Sequence, residues 1–483
     1  MTRSLGAIMD AALAAADPVA SVEEALRGRV TVEHSVTTFA FPLARTMTRG
    51  QGEHRYSGTR VTVLAVGKAA SGMARAALAL LGDAVSGGLI VTTDGAGDPV
   101  PPLETLFAGH PLPDARGVEA ARRAGVLVDR LGGDDLLLVL VSGGASALLA
   151  DLPDLAPLEE MVALSVALQR SGADITEINT VRRAVATLKG GRLAARAAPA
   201  RVVALLLSDV VGDDLAAIGS GLTVASPTTA TDALAVLKRY HIVAPPGVAA
   251  HLRVTAPAPG VSAYLRPSKK ATGVSSVVRS SKKKGLGPPD FLLATETVRG
   301  MILDPARVVS LVVGSGALAV TAAAARAESL GYRAMVIGHD LTGEAVAIAK
   351  RHADALRAAP LDGTLRAFIS GGEATVTVRG ARRGGPNQEC ALALALALEG
   401  VPGWSALMID TDGRDGPTDA AGAVVDGATA GAIRAAGIDP AHALAENDAY
   451  TALDAADALL RTGPTGTNVN DLRIILAGSA RHP

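Results

Sequence analysis

Short apolar runs alternate with longer stretches of helical periodicity along most of this chain of 483 residues. Four apolar runs in the first half have the length and the side chains of buried strands: residues 61–66, 88–93, 136–141 and 202–208. Helical patterns lie between them at residues 69–82, 115–131 and 157–170. This alternation predicts repeated strand–helix–strand units around a mostly parallel sheet.

The second half repeats the same pattern, with apolar runs at 334–338, 366–370 and 405–409. Residues 374–378 follow one of these runs after a Gly-Gly-Glu turn, which predicts an antiparallel hairpin there. We therefore predict an α/β fold of two α/β domains, with mostly parallel sheets covered by helices.

Residues 253–290 are rich in serine, lysine, proline and glycine and lack apolar periodicity. They fit a linker or insertion whose basic residues are solvated, and a phosphate-binding arm is the alternative. We predict a Rossmann-like N-terminal domain at 1–252, a partly disordered linker or insertion at 253–305, and a C-terminal α/β domain at 306–483.

The composition excludes several classes of partner. The formal net charge is -1 and aromatic residues make up 2%, so neither a global field for nucleic acid nor a base-stacking surface is expected. No run of about eighteen apolar residues occurs, so no membrane span is expected. The single cysteine, Cys390, suits a reducing compartment. We expect a cytoplasmic protein that binds neither nucleic acid nor membranes.

Ligands of open α/β sheets bind beyond the carboxyl ends of the strands, so the strand-to-loop junctions are the candidate sites. Lys68 follows the first strand at a helix start, where it either contacts an anion or is an ordinary surface lysine. The turn at residues 142–146 follows the third strand and combines two glycines with free helix N–H groups. A dinucleotide, a phosphate, a carboxylate or nothing could occupy it.

A basic stretch follows in a helical context, and its polar residues are Asn179, Arg182, Arg183, Lys189 and Arg192. It fits an anionic substrate, and it fits equally well a glycine-terminated helix with basic residues nearby. Asp209 directly follows the fourth strand and could bind Mg²⁺ or act as a base, whereas Asp213 or Asp214 is better explained as a helix N-cap.

Two late stretches carry further polar residues. Four aspartates surround glycine turns after a strand: Asp410, Asp412, Asp415 and Asp419. Calcium is unfavoured because Ala421 stands where the loop needs a bidentate glutamate, so the alternatives are Mg²⁺ with substrate phosphates or simple turns. The stretch at 465–470 contains Thr467 and Asn468 and is either a ligand loop or a turn.

Gly314, Gly316 and Ala319 match the glycine pattern of a dinucleotide-binding fingerprint. A predicted helix and a predicted strand that ends near Asp340 follow them. Alone this fingerprint would suggest an NAD-dependent reductase, but such matches are weak in a chain with 53 glycines. The sequence contains no P-loop, no protein-kinase signature set, no zinc-type Cys/His spacing and no G-x-S-x-G elbow.

Eight motifs, in this order along nearly the whole chain, together resemble the MOFRL-type glycerate 2-kinases: VGKAASGM, LVSGGASALL, INTVRRAVATLKGGRLA, LLLSDVVGDD, ISGGEATVTVRG, GGPNQECALALAL, IDTDGRDGPTDAAGA and TGPTGTNVNDL. The resemblance implies transfer of the γ-phosphoryl group of ATP to the 2-hydroxyl of D-glycerate, with Mg²⁺. It also implies an active site between the two domains, a MOFRL-like second domain, and a monomer or homodimer. Family members have often been labelled hydroxypyruvate reductases, so an NAD(P)H-dependent reductase is the alternative, and a non-catalytic sugar-acid binding protein is a third.

The resemblance suggests roles for particular residues. Lys68 would contact the transferring phosphoryl group or the glycerate carboxylate, and Lys189 and Arg192 would hold the other anion. Asp209 would orient the 2-hydroxyl or bind Mg²⁺, with Asp412 as the second candidate metal ligand. The residues predicted to contact the nucleotide are Ser142, Gly143, Gly144, Ser146, Asn387, Glu389, Thr467 and Asn468.

The chain departs from the family pattern in two places. The family commonly has arginine where this chain has Pro386, and Arg382 or Arg383 could replace its charge. The stretch at 266–289 has no clear counterpart in the family.

Overall fold

The structure is a computed structural model that describes residues 1–33, 35–42, 53–153, 156–255, 293–294, 303–304, 306–360, 362–380 and 383–478. Its helices are α1 (Thr2–Ala15), α2 (Pro18–Leu26), α3 (Ala70–Leu81), α4 (Ala115–Asp129), α5 (Ala145–Leu148), α6 (Leu158–Arg170), α7 (Ile175–Val185), α8 (Arg192–Arg196), α9 (Ala230–Arg239), α10 (Pro246–Thr255), α11 (Gly316–Ser329), α12 (Ala345–Arg357), α13 (Pro386–Ala397), α14 (Thr429–Ala435), α15 (Pro440–Ala445) and α16 (Ala449–Ala455).

Its strands are β1 (Val30–Glu33), β2 (Val36–Pro42), β3 (Glu53–Gly58), β4 (Arg60–Val66), β5 (Val85–Thr93), β6 (Glu104–Ala108), β7 (Asp135–Val141), β8 (Arg201–Leu207), β9 (Leu293–Ala294), β10 (Val308–Gly314), β11 (Arg333–Glu344), β12 (Arg366–Thr375), β13 (Trp404–Asp410), β14 (Gly422–Asp426), β15 (Leu459–Leu460) and β16 (Asp471–Ala477). Short 3-10 turns lie at Gly82–Ala84 and Ile218–Ser220.

The first sheet has seven strands in the order β6-β5-β4-β7-β8-β10-β9. Its first six strands pair in parallel, and β9 pairs antiparallel with β10. Counted from β4, the parallel strands follow the order 3-2-1-4-5-6 of dinucleotide-binding folds, and this order reverses between β4 and β7. The predicted Rossmann-like sheet is therefore present, and its switch point lies at the turns after residues 66 and 141.

The second sheet is mixed, with six strands in the order β11-β12-β16-β13-β14-β15. Only β11 and β12 pair in parallel, so the expectation of mostly parallel sheets holds for the first sheet and fails for this one. The hairpin predicted at 374–378 is also absent, because β12 continues through Gly372 to Thr375. A Cβ at Gly372 would collide with the β11 backbone, so glycine keeps the two strands paired there. The antiparallel partner of β12 is β16, which local periodicity does not reveal.

The first sheet includes a strand from beyond the predicted linker. Strand β10 pairs with β8 in that sheet, so the chain leaves it after Gly314. Helix α1 packs against α11, β13 and β16, so the N-terminal helix covers the second sheet. The predicted linker at 253–305 falls mostly outside the described residues.

Two apolar faces of the first sheet are buried in separate cores. Leu136, Leu138 and Leu140 of β7 join a core that continues into the second sheet, with Ile369 and Ile474 among its members. The intervening residues of β7 face a second core under α4 and α8. This alternation follows from the period of two along a strand. The shared core holds the two sheets side by side and leaves a cleft at their loop ends.

Further layers surround the first sheet. The small antiparallel sheet β1-β2-β3 contributes Phe39 and Tyr56 to the shared core. Helices α6, α7, α9 and α10 form a separate apolar cluster, which includes Leu168 and Val181. Among the described residues, no single helix is long and apolar enough to cross a membrane, although α1 and α2, bent by 54° at their junction, satisfy that length and composition together.

The buried imidazole of His352 in α12 predicts acid sensitivity of the fold. Its ring nitrogens lie 2.8 Å from the Ile348 carbonyl oxygen and 2.9 Å from the Ser370 hydroxyl, and burial lowers its pKa from 6.5 to about 4. The unfolded chain binds a proton at this histidine as the pH falls below 6.5, and the folded chain does not until about pH 4. Between these values the folded state should lose up to about 3 kcal/mol.

Urea unfolding at pH 7 and pH 4.5 would measure this loss. Replacing His352 by Gln removes the titrating group, so the variant should lose less stability between the two pH values than the wild type. An equal pH dependence in both proteins would contradict this origin.

Candidate active site

The turns after β4 and β7 are joined at the switch point of the first sheet. The Lys68 backbone N–H donates to the Gly143 carbonyl oxygen at 2.9 Å, and the Ala69 N–H donates to the Ser142 hydroxyl at 3.0 Å. Gly67 has a φ of 132°, and a Cβ there would collide with Ser142. The predicted Lys68 and the glycine turn are therefore neighbours, although the Ser142 hydroxyl already accepts a bond inside the protein.

A cavity of about 950 Å³ opens beside these turns and is called the large cavity. The first sheet contributes Lys68, Ser142 and Gly143 to its lining, and loops of the second sheet contribute Asp412, Thr467 and Asn468. The predicted cleft between the two α/β units is thus present. It brings together six of the predicted site residues from both halves of the chain.

Two cations at the lining of the large cavity have no partner among the described residues. The Lys68 ammonium and the Arg75 guanidinium make no hydrogen bond or ion pair with any residue that the structure describes. Arg414 donates from Nε to the Thr418 carbonyl oxygen at 3.1 Å. Aspartates also line the cavity, and one of them, Asp94, forms an ion pair with Arg116 at 2.9 Å. The free ammonium and guanidinium groups can therefore contact an anionic ligand such as a phosphate group.

Asp209 lies directly behind the glycine turn. A Cβ at Gly143 would collide with its carboxylate, and a Cβ at Gly144 would lie 3.0 Å from Nε2 of His110. Burial raises the pKa of Asp209, and the positive charge of Lys68 opposes that rise. The pKa of His110 is lowered by burial and then by Lys68. The carboxyl group of Asp209, the imidazole of His110 and the ammonium group of Lys68 therefore lie around the glycine turn.

The aspartates after β13 divide into different roles. Asp415 is buried and accepts the backbone N–H groups of Asn387 at 3.0 Å and Gln388 at 2.8 Å, so it caps α13. Burial raises the pKa of Asp415 to about 7. Asp412 lines the large cavity and accepts the Arg414 N–H at 2.8 Å. In the part of the chain that the structure describes, no group of three or more carboxylate, histidine or cysteine side chains could hold a metal ion by itself.

Asn387 and Glu389, which were predicted to contact the nucleotide, do not line the large cavity. Asn387 is buried and donates from Nδ2 to Asp471 at 2.6 Å and to Asp415 at 3.3 Å. Glu389 is buried and accepts from Asn447 at 2.9 Å. Asn387 therefore holds two buried carboxylates in place, which is a structural explanation for its presence.

Ser146, Lys189 and Arg192 do not line the large cavity, and the first two line a second, smaller pocket. The Ser146 hydroxyl is 2.7 Å from that of Ser220. The Lys189 ammonium forms an ion pair with Asp151 and also donates to the Leu149 carbonyl oxygen at 3.0 Å. Arg192 donates to the carbonyl oxygens of residues 183 and 189 at 2.9 and 3.0 Å. These three residues are therefore not brought together with Lys68.

Comparison with known proteins agrees with this architecture. A family model described as a domain of unknown function, DUF4147, matches residues 4–253, and one described as the MOFRL family matches residues 366–471. The chain is 40% identical over 421 residues to the D-glycerate 2-kinase of Thermotoga maritima, covering 86% of this chain and 90% of that protein. The chain belongs to the MOFRL-type glycerate 2-kinase family.

Two further relatives support the assignment to this glycerate 2-kinase family. A crystal structure of glycerate kinase from Thermotoga maritima matches with a TM-score of 0.77 and 36% identity over 97% of both chains. A protein of Agrobacterium vitis, whose name proposes a hydroxypyruvate reductase, is 38% identical over 87% of each chain. Both names that the sequence suggested therefore occur among relatives of similar length.

The dinucleotide fingerprint is not formed in this family member. A fingerprint requires two parallel strands of one sheet joined by the helix, but β10 and β11 belong to different sheets. A Cβ at Gly316 would lie 2.9 Å from the Val469 carbonyl oxygen, so this glycine is explained by packing. Geometry therefore does not support the reductase alternative.

Pro386 occupies the first turn of α13, where its fixed backbone and missing N–H are tolerated. Arg382, one possible replacement for the family arginine, lies outside the described residues. The Arg383 guanidinium lies 4.1 Å from the Tyr450 ring centroid and 3.5 Å from the Asp419 carboxylate, and Asp419 lines the large cavity. Arg383 therefore brings a positive charge to the rim of the cavity.

Sequence reasoning missed several residues of the large cavity: Asp17, Arg75, Arg414, the loop at 93–97 and residues 463–464. For Arg75 a signal was present. Lys68, Ser71, Gly72 and Arg75 follow helical spacing, which places them on one face where α3 begins. The loops carry no such local signal, because only the approach of the second sheet brings them to the cavity.

Replacing Asn387 by Ala should destabilise the fold and leave the Michaelis constant for ATP unchanged. Two buried carboxylates would lose a donor, which we expect to cost about 2 to 4 kcal/mol of unfolding free energy. Urea unfolding and ATP kinetics on the same samples would measure both effects. Asn468→Ala is the comparison, since a cavity-lining side chain should alter the Michaelis constant with little loss of stability. If Asn387→Ala instead changed the Michaelis constant for ATP and left the unfolding free energy unchanged, Asn387 would belong to the nucleotide site.

Proposed function

We propose that this protein transfers the γ-phosphoryl group of ATP to the 2-hydroxyl of D-glycerate, forming 2-phosphoglycerate and ADP. The observation that carries the proposal is the large cavity at the switch point, where Lys68, which has no partner among the described residues, faces loops of the second sheet. Its volume of about 950 Å³ suits a nucleotide. Membership of the glycerate 2-kinase family supports the same reaction.

Phosphoryl transfer depends mainly on positioning and on neutralising charge. We assign Lys68 to the transferring phosphoryl group and Arg75, which lies in α3 and lines the same cavity, to the neighbouring phosphates. The turn at residues 142–144 would hold a phosphate through its glycine backbone, next to the first turn of α5. Thr467 and Asn468 would contact the nucleotide from the second sheet.

We assign the acceptor hydroxyl to Asp209. Its carboxylate would accept the proton of the 2-hydroxyl while that oxygen forms a bond to the γ-phosphorus and the bond to the β-phosphate oxygen breaks. ADP leaves with the electron pair of the broken bond. The position of Asp209 behind Gly143, near Lys68, supports this role.

The residues of the cavity fit a Mg²⁺ ion that binds together with the nucleotide, and not one that is held by protein ligands alone. Mg²⁺ is usually held by one or two carboxylates together with substrate phosphates, and Asp412 presents one carboxylate at the lining. When bound, the ion would neutralise phosphate charge. Asp209 remains a second candidate ligand, and addition of a chelator should abolish turnover.

The proposal includes a location and an assembly state. A cytoplasmic enzyme has ATP available and keeps its buried Cys390 reduced. A monomer or homodimer is expected, which size-exclusion chromatography with light scattering would measure. Lys189 is assigned to the wall of a neighbouring pocket and not to the phosphoryl group, and Arg192, which donates to the carbonyl oxygens of residues 183 and 189, is not assigned to the phosphoryl group either.

The test incubates the purified protein with ATP, Mg²⁺ and D-glycerate and follows phosphorus NMR. We expect ADP and 2-phosphoglycerate in equal amounts. Formation of the 3-phosphate isomer, or no turnover with intact glycerate binding, would contradict the proposal. Oxidation of NADH or NADPH with hydroxypyruvate would favour the reductase instead.

A further inference from the structure

A second cavity, of about 170 Å³, is lined in part by α5 and is called the small pocket. The two cavities lie along the same turn and helix after β7, since Ser142 and Gly143 of the turn line one and Ser146 and Ala147 of α5 line the other. Helices α6 and α7 and the loop after β6 complete the small pocket. It is too small for a nucleotide and has room for an acid of three or four carbons.

Arg182, in the last turn of α7, presents an unpartnered guanidinium to the small pocket. The side chain is half-buried and makes no hydrogen bond or ion pair with any residue that the structure describes. Its five N–H donors are therefore unused on the protein side. Burial lowers the pKa of Arg182, as expected for a cation withdrawn from water without a partner.

The basic neighbours of Arg182 are already engaged. Arg183 donates from Nη1 to the Ala216 carbonyl oxygen at 3.1 Å, and Arg192 donates to two carbonyl oxygens. Lys189 pairs with Asp151, whose carboxylate also accepts three backbone N–H groups. Asp151 is thus occupied by its own partners, and among the described residues no anion pairs with Arg182.

The rest of the lining suits a small hydroxy acid. Ser165 and Gln169 of α6 bring polar groups that can bond hydroxyls, while Leu158, Met161 and Val162 form an apolar side. An arginine fork pairs with a carboxylate through two parallel hydrogen bonds. We infer that the small pocket binds the carboxylate of a small hydroxy acid through Arg182. With the proposed function, on which the choice of D-glycerate rests, this acid is the phosphoryl acceptor.

Binding can be measured without the kinase reaction. Calorimetric titration of the full chain with D-glycerate, in the absence of ATP, should give a dissociation constant about 10- to 100-fold higher for Arg182→Gln than for the wild type. Arg170→Gln, at the exposed end of α6, is the matched control and should bind like the wild type. Undetectable binding by the wild type, or equal binding by Arg182→Gln, would overturn the inference.

Inorganic phosphate separates a carboxylate site from a general anion site. Phosphate should bind the wild type more weakly than D-glycerate and should compete with it. If phosphate bound in an Arg182-dependent manner and D-glycerate did not, the assignment to a carboxylate would be wrong.

Stability distinguishes a ligand-binding arginine from a structural one. Because Arg182 has no partner in the described part of the chain, Arg182→Met should leave the melting temperature unchanged or raise it when no ligand is present. D-glycerate should then stabilise the wild type and not the variant. A lowered melting temperature in the ligand-free variant would indicate a structural role and contradict the inference.

Kinetics separates the two proposals. With the kinase active, Arg182→Gln should raise the Michaelis constant for D-glycerate about 10- to 100-fold and leave that for ATP unchanged. If the wild type shows no kinase turnover but binds D-glycerate through Arg182, the proposed function fails and the small pocket stands. If turnover is normal and does not change on replacement of Arg182, the inference about the small pocket fails and the proposed function stands.

Discussion

Replacing Lys68 by Met should lower kcat for phosphoryl transfer about 10²- to 10³-fold while the protein stays folded. The ammonium group lines the large cavity and has no partner in the part of the chain that the structure describes, so we expect it to stabilise charge on the transferring phosphoryl group. Losing one such preorganised donor typically costs about 3 to 4 kcal/mol of transition-state stabilisation. Methionine keeps most of the aliphatic volume, so the loss reports on charge and not on packing.

Steady-state kinetics and a thermal melt on the same samples would check this result. Lys350→Met is a matched control, because Lys350 is exposed on α12 and pairs with Asp354 at 3.3 Å on the protein surface. Its kcat should equal that of the wild type. If turnover of Lys68→Met stayed close to wild type, the role given to Lys68 would be wrong.

Replacing Asp209 by Asn should lower kcat about 10²- to 10⁴-fold at saturating D-glycerate, because the amide cannot accept the proton of the 2-hydroxyl. The size and shape of the side chain are kept, so binding of both substrates should change little. Asp214→Asn, an exposed aspartate of the same loop, is the matched control and should retain activity.

The pH profile adds a second readout for Asp209. Burial raises the pKa of this carboxyl group, so the free base is lost at a higher pH than for an ordinary aspartate. As the pH falls through that raised value, kcat of the wild type should fall, and the residual activity of Asp209→Asn should lack this acid limb. A variant with normal kcat that merely needs more Mg²⁺ would show that Asp209 is a metal ligand and not the base.

Strands and turns of the first sheet were predictable because their signals are local. The apolar runs at 61–66 and 136–141 form β4 and β7, and both turns that follow them meet at the switch point. Ligand sites of parallel sheets lie at strand ends, so Lys68 and Gly143 could be named as cavity residues from position alone. Asp412 and Asn468 were found in the same way, from polar loops beside apolar runs.

Two of the predicted site residues lie away from the large cavity for one physical reason, which is that contacts between distant segments are invisible in local patterns. Lys189 was predicted to hold a substrate anion, but the fold brings Asp151 to it and neutralises its charge. Asn387 follows a glycine pair as a ligand residue often does, yet it ties Asp415 to Asp471 in the interior. In both cases a buried polar side chain requires a partner, and only packing decides which partner it has.

The sequence by itself determined that this chain builds an α/β sheet with anion-binding turns at its strand ends, because hydrophobic periodicity and glycine positions act over a few residues. Tertiary structure alone decided that the second sheet is mixed, that α1 covers it, and which cations stay unpaired. The free charges of Lys68, Arg75 and Arg182 are a consequence of that packing, since every charged group brought into the fold either meets a partner there or remains available for a ligand.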